Sequence, residues 1–441
     1  MNVSVAAMDT IEPIERETMQ RVTRRLMPLL ILGMFCAFVD RANVGMAALT
    51  MNKDLGFSAA VFGFGAGLFF FGYFLAELPS NLILPHVGAR RWFARILFTW
   101  GIMSGLTAFV WNDWSFYGAR LLLGVAEAGF YPGAVLYMTW WFPSAYRTRM
   151  MALFGTASVI SQIMAPPIGG LLMQMDGILG LAGWQWLFVI EALPSVIMAV
   201  VTWHLLTDRP KDALWLRPEE RNWLSERLES ERAQREAIHK FSFRQMCFNP
   251  KIWLLTFAYL NVTAVNYGLA FFMPLMIQGL GVSTDLVGVV SALPYVFVLV
   301  AMVYWGYHSD RAGERTWHTA GACLVCSAGL AACIVIGAGH PLVTMIALTV
   351  GLVGQRCVLA VFWALPTAML TGTAAAGGFA MISAVGNLGG WTGPWLIGVV
   401  KDVTGSTDLG MLCLALTMVI SAVFVLLVGH DRRLERIPSR T

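Results

Sequence analysis

Twelve runs of about 20 apolar residues, separated by charged or turn-rich breaks, constrain this chain more than any other feature. A helix needs roughly 20 apolar residues to cross about 30 Å of hydrocarbon, where only helices and closed barrels satisfy every backbone hydrogen bond. Because the runs are long and uninterrupted, they predict transmembrane helices. The predicted spans are 26–50, 57–84, 92–111, 115–140, 150–174, 185–206, 251–277, 285–307, 318–338, 342–370, 375–400 and 409–429.

The composition agrees with lipid as the solvent of this chain. Hydrophobic residues make up 57% of it and charged residues only 13%, whereas soluble proteins carry about 25% charged residues. The net charge of +4 is modest and lies mostly in the breaks between spans, so nothing favours nucleic-acid binding. We therefore expect an all-α membrane protein whose partner is the lipid bilayer.

Six spans precede a polar stretch and six follow it, which predicts two six-helix bundles. The predicted organisation is an N-tail (1–25), an N-terminal bundle (26–206), a central loop (207–250), a C-terminal bundle (251–429) and a C-tail (430–441). Glu and Arg alternate at three- and four-residue spacing within the central loop, which is typical of an amphipathic surface helix that tethers the two bundles.

The distribution of Lys and Arg predicts the orientation in the membrane. If the N-terminus is cytoplasmic, 25 of the 30 Lys and Arg residues fall on the cytoplasmic side. The positive-inside rule then places both tails and the central loop in the cytoplasm. No cleavable signal precedes the first span, and the short tails favour a bacterial inner membrane.

A loop motif after the eighth span has a degraded counterpart after the second. The segment GYHSDRAGER matches the pattern G-x-x-x-D-R-x-G-x-R at Gly306, Asp310, Arg311, Gly313 and Arg315. A tight Gly turn there would place an acid and a base against neighbouring helix ends. The first-half counterpart, NLILPHVGARR, lacks this acid and base. Two halves with a matched loop are expected of a carrier whose halves rock around a central site.

Ionisable residues deep in the spans are functional candidates because charge at the bilayer centre is costly. They are Asp40 and Arg41 in the first span, Arg120 and Glu127 in the fourth, and Arg356 in the tenth. Arg120 and Glu127 are seven residues apart, so we expect them on one helix face, lining a cavity together. Asp40 and Arg41 diverge by about 100°, so one can face the cavity while the other packs against a neighbouring helix.

Two interpretations of these charges remain open. In one, an arginine holds a substrate carboxylate in a bidentate fork while Asp40 or Glu127 carries a proton. In the other, the four N-terminal charges neutralise one another as buried ion pairs between helices. Glu77 and Glu191 lie nearer the helix ends, where we expect structural roles. Neutral residues at suitable depth could complete a site or join helices, namely Tyr73, Ser158, Gln162, Asn266, Tyr267 and Asn387.

Several segments resemble the anion:cation symporter family of the major facilitator superfamily, most of all its bacterial tartrate-type and hydroxyphenylacetate-type permeases. They are FVDRANVGMA, GYFLAELPSN, VGARRWFARILFTWG, ARLLLGVAEAGFYPG, WGYHSDRAGER, FWALP and GNLGGWTGP. The resemblance implies a major facilitator fold and proton-coupled uptake of an organic carboxylate. Arg41 and Arg120 match the family's anion-binding arginines, and Asp40 and Glu127 match its protonatable pair. Tyr73 and Asn387 fall at positions that contact substrate elsewhere in the family.

Arg356 departs from the family pattern. If it faces the cavity, a second anionic group on the substrate would explain it; otherwise it pairs with an acid or with carbonyl groups between helices.

We therefore expect a transporter rather than an enzyme: a monomeric proton symporter for a small organic anion, with no cofactor and no metal. Proton-driven export or anion exchange is the alternative within the same fold, favoured by APPIGG in the fifth span. A sensor or membrane enzyme would need a soluble domain or a catalytic constellation, and the loops contain neither.

Overall fold

A computed structural model describes residues 13–236, 249–369 and 372–429, and all regular structure within these ranges is helical. Residues 1–12 of the predicted N-tail, residues 237–248 of the predicted central loop, residues 370–371 and the whole predicted C-tail (430–441) lie outside the described residues. The α-helices are α1 (Pro13–Asp54), α2 (Ala59–Val87), α3 (Ala89–Leu106), α4 (Asp113–Glu127), α5 (Phe130–Thr139), α6 (Ser144–Met173), α7 (Gly183–Leu205), α8 (Pro218–Glu236), α9 (Pro250–Gly279), α10 (Thr284–Ala312), α11 (Thr316–Ile336), α12 (Pro341–Phe362), α13 (Ala364–Met369), α14 (Gly372–Asn387), α15 (Gly389–Thr404) and α16 (Asp408–Val428).

The all-α membrane fold predicted from the sequence is confirmed. Ten helical segments of the described chain are long and apolar enough to cross a membrane, counting α4 with α5 and α12 with α13 as one each. The remaining two predicted spans are α3, whose first turns carry three arginines, and the pair α14 and α15, which is interrupted at Leu388.

The same helix pairings recur in both halves. In the N-terminal half α2 packs on α4, α3 on α7, and α1 on both α6 and α7. In the C-terminal half α10 packs on α12, α11 on α16, and α9 on both α15 and α16. Each pairing in one half has its counterpart six spans later, which is the internal repeat that the matched loops predicted.

The two halves meet at one end of the molecule. Gly63 of α2 lies against the carbonyl of Pro394 in α15, and Gly288 of α10 lies against the carbonyl of Pro166 in α6. A Cβ atom at either glycine would overlap the facing backbone, so glycine permits this close approach. The opposite end carries α8, which binds the first turns of α1 through an ion pair between Glu220 and Arg21.

The first helix is longer than its predicted span. It begins at Pro13, so residues 13–25 of the predicted N-tail continue the helix rather than precede it. The polar sequence of these turns is explained by their contact with α8 outside the apolar part of the bundle. The amphipathic helix expected in the central loop is α8.

Candidate substrate cavity

A cavity of about 270 Å³ lies between the two halves, on the α8 side of the contacts just described. Helices α1, α2 and α6 supply most of one wall, and α9, α12 and α14 supply most of the other. The lining residues are Met34, Phe38, Arg41, Phe69, Phe70, Tyr73, Glu77, Tyr131, Phe154, Gly155, Ser158, Tyr259, Thr263, Asn266, Tyr267, Arg356, Leu359, Trp363, Ser383 and Asn387.

Three helix interruptions border this cavity. The predicted fourth span breaks between α4 and α5, where Gly129 has a φ of 91° and Ser80 packs where a Cβ would lie. The predicted tenth and eleventh spans break at Trp363 and Leu388. The cavity-lining residues Tyr131, Trp363 and Asn387 lie at or within two residues of these breaks. Interrupted helices at the centre of the bundle are a common construction of transporter sites.

Arg41 forms the central contact of the cavity. Its Nε and Nη2 both donate to Oε1 of Glu127, at 2.9 and 2.5 Å. Its Nη1 lies 3.5 Å from the hydroxyl of Tyr267, which belongs to the other half. The guanidinium also lies over the rings of Phe69 and Tyr73, 5.3 Å from each centroid. Arg41 therefore joins an acid of its own half to a hydroxyl of the opposite half.

Asp40 and Arg120 lie outside the cavity lining. Asp40 is buried against α3, where its Oδ1 accepts hydrogen bonds from Ser104 and from Asn43. Arg120 is fully buried, lies 3.5 Å from the carbonyl of Ala66 in α2, and stacks on Phe69. The sequence left open which of Asp40 and Arg41 faces the cavity, and the structure assigns that place to Arg41.

The expectation that Arg120 and Glu127 line the cavity together is wrong, because neither side chain is among the residues that line it. Both residues do project from one face of α4, but that face is covered by the backbone of α2 at the level of Arg120. Glu127 lies at the end of α4, where the helix breaks, and approaches the cavity through its contact with Arg41.

Arg356 is the charged residue that the C-terminal half contributes to the cavity wall. Its guanidinium lies over the ring of Tyr295, 5.8 Å from the centroid. Among the described residues it has no carboxylate partner, and its Nε is buried without a hydrogen bond. Among the described residues, Arg356 therefore does not form the ion pair with an acid between helices that was one of the two alternatives.

Five of the six neutral candidates lie in the wall of the main cavity. Tyr73, Ser158, Asn266, Tyr267 and Asn387 line the cavity. Gln162 instead lines a second, small cavity of about 20 Å³, which shares Phe38, Arg41 and Tyr267 with the first. Arg41 and Tyr267 thus separate the main cavity from this smaller space.

Sequence reasoning missed much of the cavity wall. Glu77, expected to have a structural role near a helix end, lines the cavity. The other missed residues are mainly aromatic: Phe38, Phe69, Phe70, Tyr131, Phe154, Tyr259 and Trp363. Such rings are common on every face of an apolar helix, so no sequence signal separated them from lipid-facing or packing residues.

The loop motif predicted after the eighth span lies at the C-terminal end of α10 and forms a compact turn. Gly313 ends α10 with a φ of 62°, and the carboxylate of Asp310 pairs with Arg315 in the same segment. Arg311 is exposed, and Gly306 lies within α10 rather than in the turn. The tight turn that the motif predicted is therefore made by Gly313.

Comparison with known proteins places this geometry in a family. Residues 30–394 match the Major Facilitator Superfamily. A protein of Agrobacterium vitis named "Putative tartrate transporter" is 49% identical over 95% of this chain and 92% of its own length. The "Quinolone resistance transporter" of Acinetobacter baumannii is 38% identical over 97% of this chain and 98% of its own length.

A solved structure shares the fold at low sequence identity. The crystal structure of a bacterial homologue of the human lysosomal transporter Spinster superposes with a TM-score of 0.76, at 17% identity, over 97% of this chain and all of its own. The helical membrane fold, the central cavity and these relatives agree on a secondary transporter of small organic substrates. The chain is a multi-pass membrane protein that belongs to the Major Facilitator Superfamily.

Proposed function

We propose that this protein couples the uptake of a small organic carboxylate to protons by alternating access. The proposal includes a bacterial inner-membrane location, cytoplasmic termini, and bundles at 26–206 and 251–429. The observation that carries it is the position of Arg356: a guanidinium without a carboxylate partner among the described residues, in the wall of the cavity that also holds Arg41.

A dicarboxylate fits this arrangement of charge. Arg356 lies in the C-terminal half, and Arg41 lies in the N-terminal half. One carboxylate of the substrate would bind Arg356 in a fork, and the other would bind Arg41. Asn266 and Asn387 supply amide groups for hydroxyl groups of the substrate. The name of the Agrobacterium vitis relative, which refers to the dicarboxylate tartrate, supports this assignment.

The contact between Arg41 and Glu127 supports proton coupling. Glu127 occupies two of the N–H donors that a substrate carboxylate would need. When Glu127 takes up a proton, its charge is lost and Arg41 becomes available to the substrate. Substrate and proton would then be bound in the same state and cross together. Asp40, buried near Arg120, is the second protonatable group of this proposal.

Uptake into proteoliposomes tests the proposal. Labelled mono- and dicarboxylates are offered with an imposed inside-alkaline pH gradient, to the native protein and to Arg41→Ala and Arg356→Ala. We expect gradient-driven accumulation by the native protein, loss of all anion uptake in Arg41→Ala, and selective loss of dicarboxylates in Arg356→Ala. Absence of gradient-driven uptake of every anion by the native protein would contradict the proposal.

Proton-driven export or anion exchange is the second candidate. Pro166 and Pro167 interrupt the hydrogen bonding of α6 where it meets Gly288 of α10, so this contact between the halves includes the APPIGG segment. The quinolone resistance transporter also shares 38% of its residues with this chain. Uptake under defined gradients distinguishes them. A symporter accumulates labelled anion in vesicles that contain no anion when the inside is alkaline, whereas an exchanger takes up anion only when the vesicles contain anion to release. A proton-driven exporter accumulates its substrate when the inside is acidic.

A further inference from the structure

Glu191 in α7 is a further buried carboxyl group, and it lies beside Asp40 and outside the cavity lining. Its side chain is 7% exposed, and Asp40 and Asn43, which face it from α1, are 1% and 2% exposed. Asn43 donates from Nδ2 to Oδ1 of Asp40 at 3.2 Å, and its side chain also lies next to the carboxyl group of Glu191. The amide of Asn43 therefore separates two buried acids.

The hydrogen bonds of this cluster are incomplete if Glu191 is ionised. Within the described residues, neither carboxyl oxygen of Glu191 has a hydrogen-bond partner, and Oδ1 of Asn43 has none either. An ionised carboxylate offers only acceptors, so an ionised Glu191 cannot give Oδ1 of Asn43 a hydrogen bond. A neutral Glu191 has an O–H group that can donate to Oδ1 of Asn43, which would satisfy both residues.

The charges around the cluster lead to the same protonation state. Arg41 is paired with Glu127, and Arg120 is the other buried cation near Asp40 among the described residues. The other titratable group facing the cluster is the thiol of Cys36 in α1, and α3 contributes the hydroxyl of Ser104. No described cation remains for Glu191, and a buried charge without a partner is costly.

We infer that Glu191 is a neutral carboxylic acid that donates to Asn43 and so holds the amide of Asn43 in the orientation that donates to Asp40. Glu191 is thus a positioning residue for Asp40. The hydrogen bond that Asn43 donates to Asp40 stabilises the charged form of Asp40. By holding Asn43 in this orientation, Glu191 would set the pH range in which Asp40 takes up a proton. That last step rests on the proton coupling proposed above.

Two substitutions at Glu191 separate this role from a merely structural one. Glu191→Gln keeps a donor for Oδ1 of Asn43, whereas Glu191→Leu keeps a similar size and removes the donor. We expect the pH profile of uptake to stay unchanged in Glu191→Gln and to move to higher pH in Glu191→Leu, on the order of one pH unit. An unchanged profile in Glu191→Leu would overturn the positioning role, and an equal displacement in both variants would show that Glu191 ionises during transport.

An infrared measurement tests the neutral state without any transport assay. The spectrum of the purified native protein at neutral pH, minus that of Glu191→Gln, should contain the carbonyl stretch of a neutral carboxylic acid. A carboxylate band in its place would overturn the inference. Because this result does not depend on proton coupling, failure of the proposed function and failure of the inference can be told apart.

Discussion

Arg41 donates two N–H groups to a single oxygen of Glu127, at 2.9 and 2.5 Å, and both residues belong to the N-terminal half. The arginine is therefore neutralised by an acid from its own bundle while its third nitrogen faces Tyr267 of the other bundle. A substrate carboxylate and Glu127 would compete for the same donors. Under the proton coupling proposed above, this competition would give proton binding and substrate binding a shared physical basis.

Glu127→Gln should separate transport from the proton gradient. The amide cannot take up a proton and leaves Arg41 permanently without its charged partner. We expect substrate exchange across the membrane to persist, while accumulation driven by an inside-alkaline gradient is lost. Both are measured with labelled substrate in the same proteoliposomes.

Glu77→Gln is the matched control for that experiment. Glu77 lines the same cavity but forms no ion pair with Arg41 among the described residues. We expect Glu77→Gln to retain accumulation driven by the pH gradient. Full proton-driven accumulation by Glu127→Gln would remove Glu127 from the coupling mechanism.

Arg356→Lys should show whether the substrate is bound by the positive charge of Arg356 alone or also by the planar shape of its guanidinium. Lysine keeps the positive charge but replaces the planar fork with a single ammonium group. If Arg356 binds a second carboxylate in a fork, dicarboxylate affinity falls roughly tenfold or more, and monocarboxylate affinity changes little. Equilibrium binding to the purified protein gives both values.

Arg95→Ala serves as the control for the loss of an arginine. Arg95 lies outside the cavity lining, on α3, with its guanidinium over the ring of Trp92. We expect native affinities in this variant. Equal losses for mono- and dicarboxylates in Arg356→Lys would argue against a second-carboxylate site.

The sequence predicted the presence of the helices better than the residues at which they begin and end. The runs that became α6 and α10 were found because lipid-facing and core-facing residues are both apolar there, so hydropathy alone identifies them. The first turns of α1 were missed because their polar side chains meet α8 and water rather than lipid. A helix outside the bilayer can be polar, so a search for apolar runs does not detect it.

Hydropathy does not predict which side chains of a helix face the cavity. Adjacent residues Asp40 and Arg41 had to point in different directions, but only the rotation of α1 decided which one faces the cavity. Arg120 was placed on the correct face of α4, yet the backbone of α2 covers that face at Ala66. Helix rotation and packing depend on neighbouring helices, which a single run of residues does not describe.

Asp402→Ala should weaken the contact between the halves at the end remote from α8. The carboxylate of Asp402 in α15 accepts hydrogen bonds from the backbone N–H groups of Ala59 and Ala60, both at 2.9 Å, at the N-terminus of α2. Loss of such a cap costs about 1 kcal/mol. This would increase the population of molecules in which the halves are separated at this end roughly fivefold. The measurement is the labelling rate of Ala42→Cys, in the small cavity behind the contact, by an impermeant maleimide.

Asp408→Ala is the control for that labelling experiment. Asp408 lies in the first turn of α16, near the same end of the bundle, and does not cap α2. We expect its labelling rate to equal that of the parent Ala42→Cys protein. Equal rates in the Asp402→Ala and Asp408→Ala backgrounds would show that the cap does not hold this end closed.

Glu220→Gln should loosen α8 from α1. Burial alone would raise the pKa of Glu220, but hydrogen bonds from Arg217 and the charges of Arg21 and Arg217 outweigh it, so its pKa lies below the usual range. The charge of Arg21 belongs to α1, so its share of the lowering of the pKa requires that α8 is bound. That contribution is present above the pKa of a free glutamate and is lost as the pH falls through the lowered value. We expect the hydrogen-exchange protection of α8, corrected for intrinsic rates, to fall roughly fivefold to thirtyfold in Glu220→Gln. Glu219 is an exposed neighbour in the same helix, so Glu219→Gln is the control and should keep the protection of the native protein. The native protein should approach the Glu220→Gln value only in acid, and equal protection in all three proteins would mean that this ion pair does not hold α8.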